Sequence, residues 1–206
     1  MKPEVLDEAV AEKEILDLMR SDKARAFDLM VDVYGPMLYR YARRMCGNNH
    51  DADDSLQETF LIAQEKFGQF RQEGKLRNWL FRITGNSCLQ RHRKSKGQVT
   101  SELRLDDILP TQEPSYEDAA DGPNSTWQKD PVEQLLDSEM MARLEEAVAK
   151  VPVTNRSVLI LRDLEGLSTR ETAEALDITE ETVKVRLHRA RAFIRNTIAK
   201  YYEGRE

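Results

Sequence analysis

Four prolines divide this chain into two parts, and no other sequence feature limits its fold as strongly. They lie in the segment 97–131, which is also rich in Gly, Ser, Thr and acidic residues: Pro110, Pro114, Pro123 and Pro131. A proline removes a backbone donor and clashes with the preceding helical turn, so a long helix cannot cross this segment. The sequence therefore predicts a linker at 97–131 between a domain at 1–96 and a domain at 132–206.

On both sides of this segment, apolar residues recur at spacings of three and four, which is typical of amphipathic helices. Nine Gly and seven Pro in 206 residues leave long uninterrupted stretches that favour helices over hairpins. In the first domain we predict a helix over 4–19, a second capped by Ser21 and broken or kinked at Gly35–Pro36, a third capped by Asp51, and a basic helix around Trp79. The predicted fold is all-α: two small helical domains joined by an acidic flexible linker.

The charges of the chain are strongly segregated, although the net charge is only −6. The stretch 71–96 has eight Lys or Arg and one acid, 183–200 has six and no acid, and 99–131 has eight acids and two bases. One basic patch is more often a solvated helix face than a binding site. Two such patches indicate a chain that binds a polyanion such as nucleic acid.

The second domain contains a helix-turn-helix pattern, which is the arrangement of many DNA readers. A first helix begins near Val132, and Thr154 is a candidate cap for the next one. Ser168 and Glu171 have the spacing of a capping box, and Thr179 caps a long final helix.

One face of the final helix is apolar and is expected to lie in the core: Val183, Leu187, Ala190, Ile194 and Ile198. Arg and Lys donate hydrogen bonds to guanine edges and to phosphates. We therefore expect base readers on the opposite face, near the start of the helix: Thr182, Lys184, Val185, Arg186 and Arg189. Arg191 and Arg195 lie further along and are expected to meet phosphates or solvent.

The stretch 51–60 is acidic, and a helix there places three residues on one face with Gln57 beside them: Asp54, Glu58 and Leu61. This face is explained as a solvated surface, as a docking face for a partner, or as part of a divalent-metal cluster for phosphate chemistry. The metal cluster would use His50, Asp51, Asp53, Asp54 and Glu58. It is disfavoured because capping alone explains Asp51.

Aromatic and basic residues alternate over 67–86, and this combination suits single-stranded nucleic acid, whose bases stack on aromatic rings. Trp79 is nevertheless expected to be a core residue. The amide of Asn86 can donate to and accept from a base edge, and the alternative is a buried, hydrogen-bonded asparagine.

Three stretches together resemble the sigma factors of bacterial RNA polymerase, of the extracytoplasmic-function (ECF) type. The first is 51–60, DADDSLQETF, with Asp53 where glutamate is commoner. The second is 70–86, FRQEGKLRNWLFRITGN, with Leu76 and Thr84 as departures from the family pattern. The third is the helix-turn-helix at 168–195, whose second helix contains TVKVRLHRAR. They follow the family's order across both domains.

The resemblance implies a transcription initiation factor, not an enzyme, with no cofactor, metal or catalytic residue of its own. Its first domain would dock on the clamp helices of core RNA polymerase through Asp54, Gln57, Glu58 and Leu61. The same domain would melt the minus-ten promoter element and read its non-template strand through Arg71, Lys75, Leu76, Arg77, Arg82, Asn86, Gln90, Arg91, Arg93 and Lys94. The second domain would contact the polymerase flap and read the double-stranded minus-thirty-five element with the final helix, while the acidic linker follows the polymerase channel.

The resemblance also implies a cytoplasmic protein without membrane insertion, and an anti-sigma factor as a further partner. The sequence has no basic-then-apolar leader and no apolar run long enough for a membrane span. Cys46 and Cys88 are expected to be inert buried thiols. Two other interpretations are a stand-alone helix-turn-helix regulator, disfavoured because no dimerisation seam is evident, and a metal-dependent phosphohydrolase.

Overall fold

The computed structural model describes residues 8–70, 74–96 and 131–203, and no β-strand occurs among them. They form the α-helices α1 (Glu8–Ser21), α2 (Lys23–Cys46), α3 (Asn49–Lys66), α4 (Leu76–Lys96), α5 (Pro131–Lys150), α6 (Val153–Leu159), α7 (Thr169–Leu176) and α8 (Glu180–Glu203). The all-α prediction is confirmed, whereas the linker prediction lies almost wholly outside the described residues. None of the described helices is long and apolar enough to cross a membrane.

We predicted a break or a kink at Gly35–Pro36, and the break is wrong because helix α2 is continuous through Pro36. Pro36 is exposed, whereas Tyr34, Gly35 and Leu38 around it are buried. Packing on the buried side therefore maintains the helix although the proline lacks a donor. The helix ends at Gly47, whose φ of 80° is accessible to glycine without strain and whose N–H donates to the Arg43 carbonyl at 3.0 Å.

Two predicted N-caps of the first domain are wrong by one to three positions. Asp22, not Ser21, caps α2 and accepts a hydrogen bond from the Arg25 N–H at 3.2 Å. Asn48, not Asp51, caps α3, because its Oδ1 accepts from the Asp51 N–H at 2.8 Å. Asp51 lies in the first turn of α3, where a carboxylate interacts favourably with the helix dipole.

Helices α1 to α4 form the first helical unit, in which α2 packs against the other three. Its core includes Tyr34, Tyr41 and Phe81, and the rings of Tyr41 and Phe81 meet edge to face with centroids 5.2 Å apart. Between α3 and α4, the buried Thr59 and Thr84 hydroxyls are hydrogen-bonded at 3.1 Å. This contact accounts for a hydroxyl at position 84, because it satisfies a polar group in the core.

Helices α5 to α8 form the second helical unit, with a π-helical turn, Ile160–Leu164, after α6. Pro152, not the predicted Thr154, occupies the N-cap position of α6 and accepts backbone hydrogen bonds from Asn155 and Arg156. The capping box at the start of α7 is confirmed, since the Glu171 N–H donates to Ser168 and the Ser168 N–H donates to Glu171. The Thr179 cap of α8 is also confirmed by a hydrogen bond from the Thr182 N–H at 3.1 Å.

The two helical units pack directly against each other. Ile160, Leu161, Leu167 and Ala175 of the second unit are buried in the same hydrophobic cluster as the core of α2, α3 and α4. The buried Arg156 side chain reinforces this contact, because it donates to the Met45 carbonyl of α2 at 2.9 Å as well as to carbonyls of its own unit. The described residues thus form one packed body, which places the predicted DNA-reading surfaces side by side.

Candidate functional site

The predicted docking residues of α3 lie together around one open cavity of about 420 Å³. Asp54, Gln57, Glu58 and Leu61 line it from α3, and Gln90 and Arg91 line it from α4. Leu61 is 66% exposed, which makes it the most exposed large apolar side chain among the described residues. An exposed leucine beside carboxylates is a surface that a partner with apolar and basic groups would cover.

Arg91 holds the two carboxylates of this surface in place. Its guanidinium donates to Asp54 Oδ2 at 3.0 Å and to Glu58 Oε2 at 3.4 Å. Ser87, one turn earlier on α4, donates to the same Glu58 oxygen at 2.5 Å. The resemblance gave Arg91 to DNA, but in this structure it faces the acidic residues of α3 instead. Among the described residues, no group of three or more His, Cys, Asp or Glu side chains is arranged to hold a metal.

The basic residues at the start of α4 are bound by carboxylates of α7. Lys75 Nζ and Arg77 Nη2 both donate to Glu171 Oε1, at 2.7 and 2.9 Å. Arg77 also donates to Glu8 of α1 at 3.0 Å. These cations, expected to read the minus-ten element, are therefore paired with the first helix of the helix-turn-helix.

The contact between α4 and α7 continues along both helices. Asn78 Nδ2 donates to Glu174 Oε2 at 3.1 Å, and Arg82 donates to the Glu174 carbonyl. A further ion pair joins Arg82 to Asp177 at 3.6 Å. Asp177 can lie there because it ends α7 in the left-handed conformation, with a φ of 56°.

Glu171 is the most strongly perturbed carboxylate of this contact. Burial alone would raise its pKa, but hydrogen bonds from Lys75 and Ser168 and the charge of Arg77 outweigh burial and lower the pKa to about 2. The carboxylate thus stays ionised at any pH near neutrality.

Two neighbouring arginines of α2 are paired in a similar way, since Arg40 and Arg44 bind Glu165 at 3.3 and 3.2 Å.

The other predicted minus-ten residues have different surroundings. Leu76 is fully buried, so its side chain is part of the core and offers no surface to DNA. Asn86 is exposed, unlike the buried asparagine of the alternative interpretation, and Gln90 is exposed as well. Trp79 is half-buried and packs against Phe67 and Phe70. Arg71 lies outside the described residues, as do the side chains of Arg93 and Lys94.

Three residues of the predicted apolar stripe of α8 are buried, Val183, Leu187 and Ala190, whereas Ile194 and Ile198 are half-buried. On the outer side Lys184 and Arg189 are exposed, and Thr182, Val185 and Arg186 are half-buried. Arg186 lines a cavity of about 50 Å³ between the units, together with Arg82 and Asn86.

Arg191, which was expected to meet phosphates or solvent, forms a two-pronged ion pair with Asp163 at 2.9 and 2.7 Å. Four acidic residues in α7 and on either side of it were not foreseen as functional: Glu165, Glu171, Glu174 and Asp177. Their signal in the sequence is a group of acidic residues just before the basic final helix, which also fits an ordinary solvated face.

Comparison with known proteins gives matches to both units. Sigma-70 region 2 matches residues 30–98, and sigma-70 region 4 matches residues 141–194. The ECF RNA polymerase sigma factor SigM of Mycobacterium tuberculosis is 31% identical over 81% of this chain and 74% of its own length. The ECF RNA polymerase sigma factor SigW of Bacillus subtilis is 30% identical over 93% of this chain and 98% of its own length.

Solved structures show a similar fold. CnrH in complex with the cytosolic domain of CnrY aligns with a TM-score of 0.63 and 23% identity, over 92% of this chain and 98% of that one. RpoE in complex with the anti-sigma factor NepR from Bartonella quintana aligns with a TM-score of 0.58 and 20% identity, over 84% and 96%. A stand-alone helix-turn-helix regulator is not favoured, because it would leave the match to region 2 unexplained. With both regions present and relatives matched over most of their length, this chain belongs to the ECF sigma factors, which direct RNA polymerase to promoters.

Proposed function

We propose that residues 1–96 dock on core polymerase and open the minus-ten element, that residues 132–206 read the minus-thirty-five element, and that 97–131 is a linker through the polymerase channel. The docking residues are Asp54, Gln57, Glu58 and Leu61. The minus-ten side chains are Arg71, Lys75, Arg77, Arg82, Asn86, Gln90, Arg93 and Lys94, and those for minus-thirty-five are Thr182, Lys184, Val185, Arg186 and Arg189. The protein works in the cytoplasm as a specificity factor, and the polymerase carries out the chemistry.

One observation supports this assignment most directly: Lys75, Arg77 and Arg82 bind carboxylate and carbonyl oxygens in the free chain. Their partners there are Glu171, the Glu174 carbonyl and Asp177. Phosphates and base edges present oxygens of the same kind, and Lys and Arg are the side chains that most often bind them. The acceptors of α7 thus occupy the groups that we assign to melted DNA.

The packed arrangement is therefore a closed state that opens when the promoter is bound. The minus-ten and minus-thirty-five elements are separated by about 25 base pairs, or roughly 85 Å of B-DNA. In the closed state α4 and α7 are in contact, so the two units cannot reach both elements together. A fully extended segment 97–131 would reach roughly 110 Å, which is enough for the two units to separate.

Docking on the polymerase is tested with Leu61→Glu, which places a charge in the centre of the exposed α3 surface. We expect at least about tenfold weaker binding to core polymerase and an unchanged melting temperature, because a charge in a desolvated interface is costly and Leu61 is already in solvent. Val10→Glu is the matched control, since Val10 is 56% exposed on α1. Equal binding of the two variants to polymerase would contradict the proposed docking surface.

The function as a whole is tested by transcription in vitro with core polymerase and a library of genomic fragments. The chain should select a subset of fragments that share one minus-thirty-five and one minus-ten sequence. Random initiation, or initiation only where no common element exists, would contradict promoter selection. An anti-sigma factor is a further proposed partner, supported by the similarity in fold to RpoE, whose structure was solved with NepR.

A further inference from the structure

The two cysteines of the chain, far apart in sequence, are in contact in the fold. Cys46 is the last residue of α2 and Cys88 lies in α4, and their sulfur atoms are 3.2 Å apart. Both thiols are free. Cys88 is only 2% exposed, whereas Cys46 is half-buried and has the Ser55 hydroxyl 3.7 Å from its sulfur. Cys46 is therefore the more exposed of the two thiols, and the buried Cys88 is in contact with it.

The surroundings make the two thiols unequal. The hydrogen bond between the two thiols lowers the pKa of Cys46 against the opposing effect of burial, with help from Ser55 and Arg91. The same hydrogen bond and burial raise the pKa of Cys88. A thiolate is the nucleophilic form of cysteine, so the more exposed thiol is also the more reactive one.

We propose that Cys46 and Cys88 form an oxidisable pair whose substrate is a hydroperoxide and whose product is an internal disulfide. The Cys46 thiolate attacks one peroxide oxygen, the O–O bond breaks, and the other oxygen leaves as an alkoxide or hydroxide that takes up a proton. Cys46 is then a sulfenic acid. The Cys88 sulfur, losing its proton, attacks the Cys46 sulfur, the S–O bond breaks, and water leaves.

The geometry favours this second step over further oxidation of Cys46. A disulfide has its sulfurs about 2.05 Å apart, so the contact of 3.2 Å needs to shorten by only roughly 1.2 Å. The resolving thiol is already in place and is shielded from external reactants. In a reducing compartment, a bond of this kind is transient and reports on oxidant rather than serving as a permanent support.

The test uses the full reduced chain, treated with a small excess of hydrogen peroxide. Intact mass spectrometry should show the loss of two hydrogen atoms, and peptide mapping without reductant should find Cys46 joined to Cys88. Dithiothreitol should restore both thiols. The oxidised monomer should also melt at a higher temperature, because the bond closes a long loop in the unfolded chain.

Single variants separate the roles of the two thiols. Cys88→Ser should trap Cys46 as a sulfenic acid that dimedone labels, whereas Cys46→Ser should slow the oxidation of the remaining thiol by about tenfold or more. Circular dichroism checks that each variant is folded. The proposal is overturned if the reduced wild-type chain gains oxygen without forming the internal bond, if it forms only disulfide-linked dimers, or if Cys88 reacts equally fast without Cys46. None of these outcomes bears on polymerase binding, so they leave the proposed function unaffected.

Discussion

Replacing Glu171 with glutamine removes one of the charges that join the two helical units. One carboxylate oxygen of Glu171 accepts from Lys75 and Arg77, and the other accepts from the Ser168 N–H in the capping box. Glutamine at this position can still complete a capping box. Glu171→Gln therefore keeps α7 intact and removes the charged acceptor that faces α4.

The expected magnitude follows from how well each pair is shielded from water. The side chains of Arg77 and Glu171 are only 14% and 20% exposed. We therefore assign their contact the free energy of a hydrogen bond to a charged group, about 1.5–3 kcal/mol. Lys75 is 57% exposed, and its contribution is closer to that of a surface pair, about 0–1 kcal/mol. Glutamine has a single acceptor oxygen, which the capping box uses, so its NH2 group faces Lys75 and Arg77 and cannot accept from them. From these contributions we expect the closed state to lose about 2 kcal/mol. This changes the ratio of closed to open chains by about thirtyfold.

Fluorescence anisotropy with a labelled single strand of a minus-ten element measures the effect. The apparent affinity of a chain that binds only when open is reduced by its open fraction, so Glu171→Gln should bind up to about thirtyfold more tightly than the wild type. Hydrogen exchange should become faster in α7 and at the start of α4. Glu145→Gln is the control, because it removes the same charge from an exposed position of α5. An unchanged affinity for Glu171→Gln, or an equal gain for Glu145→Gln, would refute the closed state.

Three further predictions concern the same contacts and the core. In the closed state the pKa of Glu171 is lowered to about 2. The stability that its carboxylate contributes is therefore complete above about pH 4.5 and is lost as the pH falls toward 2. Small-angle scattering would detect this loss as an expansion of the chain. Gly85→Ala should lower the free energy of unfolding by about 1–3 kcal/mol in denaturant titrations, because a Cβ there would lie 3.0 Å from the Tyr41 hydroxyl. Gly68→Ala is the control: its Cβ meets nothing within 4 Å, so the loss of stability should be much smaller. Arg189→Ala should weaken minus-thirty-five binding by about 1–3 kcal/mol and relax sequence preference, and an equal loss on every DNA sequence would reduce Arg189 to a phosphate contact.

The sequence predicted the features that depend on neighbouring residues. The Ser168–Glu171 capping box and the Thr179 cap are formed by side chains three positions from their partners, and the apolar stripe of α8 follows from the helical period alone. Errors arose where several residues compete for the same role. Asn48 and Asp51 are both good caps, and the left-handed Gly47 just before Asn48 decides between them.

The pairing between helices was beyond sequence reasoning, since helical periodicity tells which residues share a face but not which neighbour covers that face. Arg91 belongs to a basic stretch, yet α3 places Asp54 and Glu58 against its guanidinium. Glu171 and Lys75 are separated by 96 positions and by the linker, so no local pattern connects them. The contact between Cys46 and Cys88 was missed for the same reason.

The proposed closed state also explains how a chain with two basic stretches would avoid binding DNA of any sequence. A chain with two strongly basic stretches would bind any DNA through counterion release, even though its net charge is −6. In this structure Lys75, Arg77 and Arg82 already have acidic or carbonyl partners. If these side chains bind DNA as we propose, DNA has to displace α7 before it gains those contacts. Non-specific DNA offers little beyond phosphates to offset that loss. Under the proposed function, a promoter held on the polymerase offers both elements at once, and the two units would then gain more by separating than they lose.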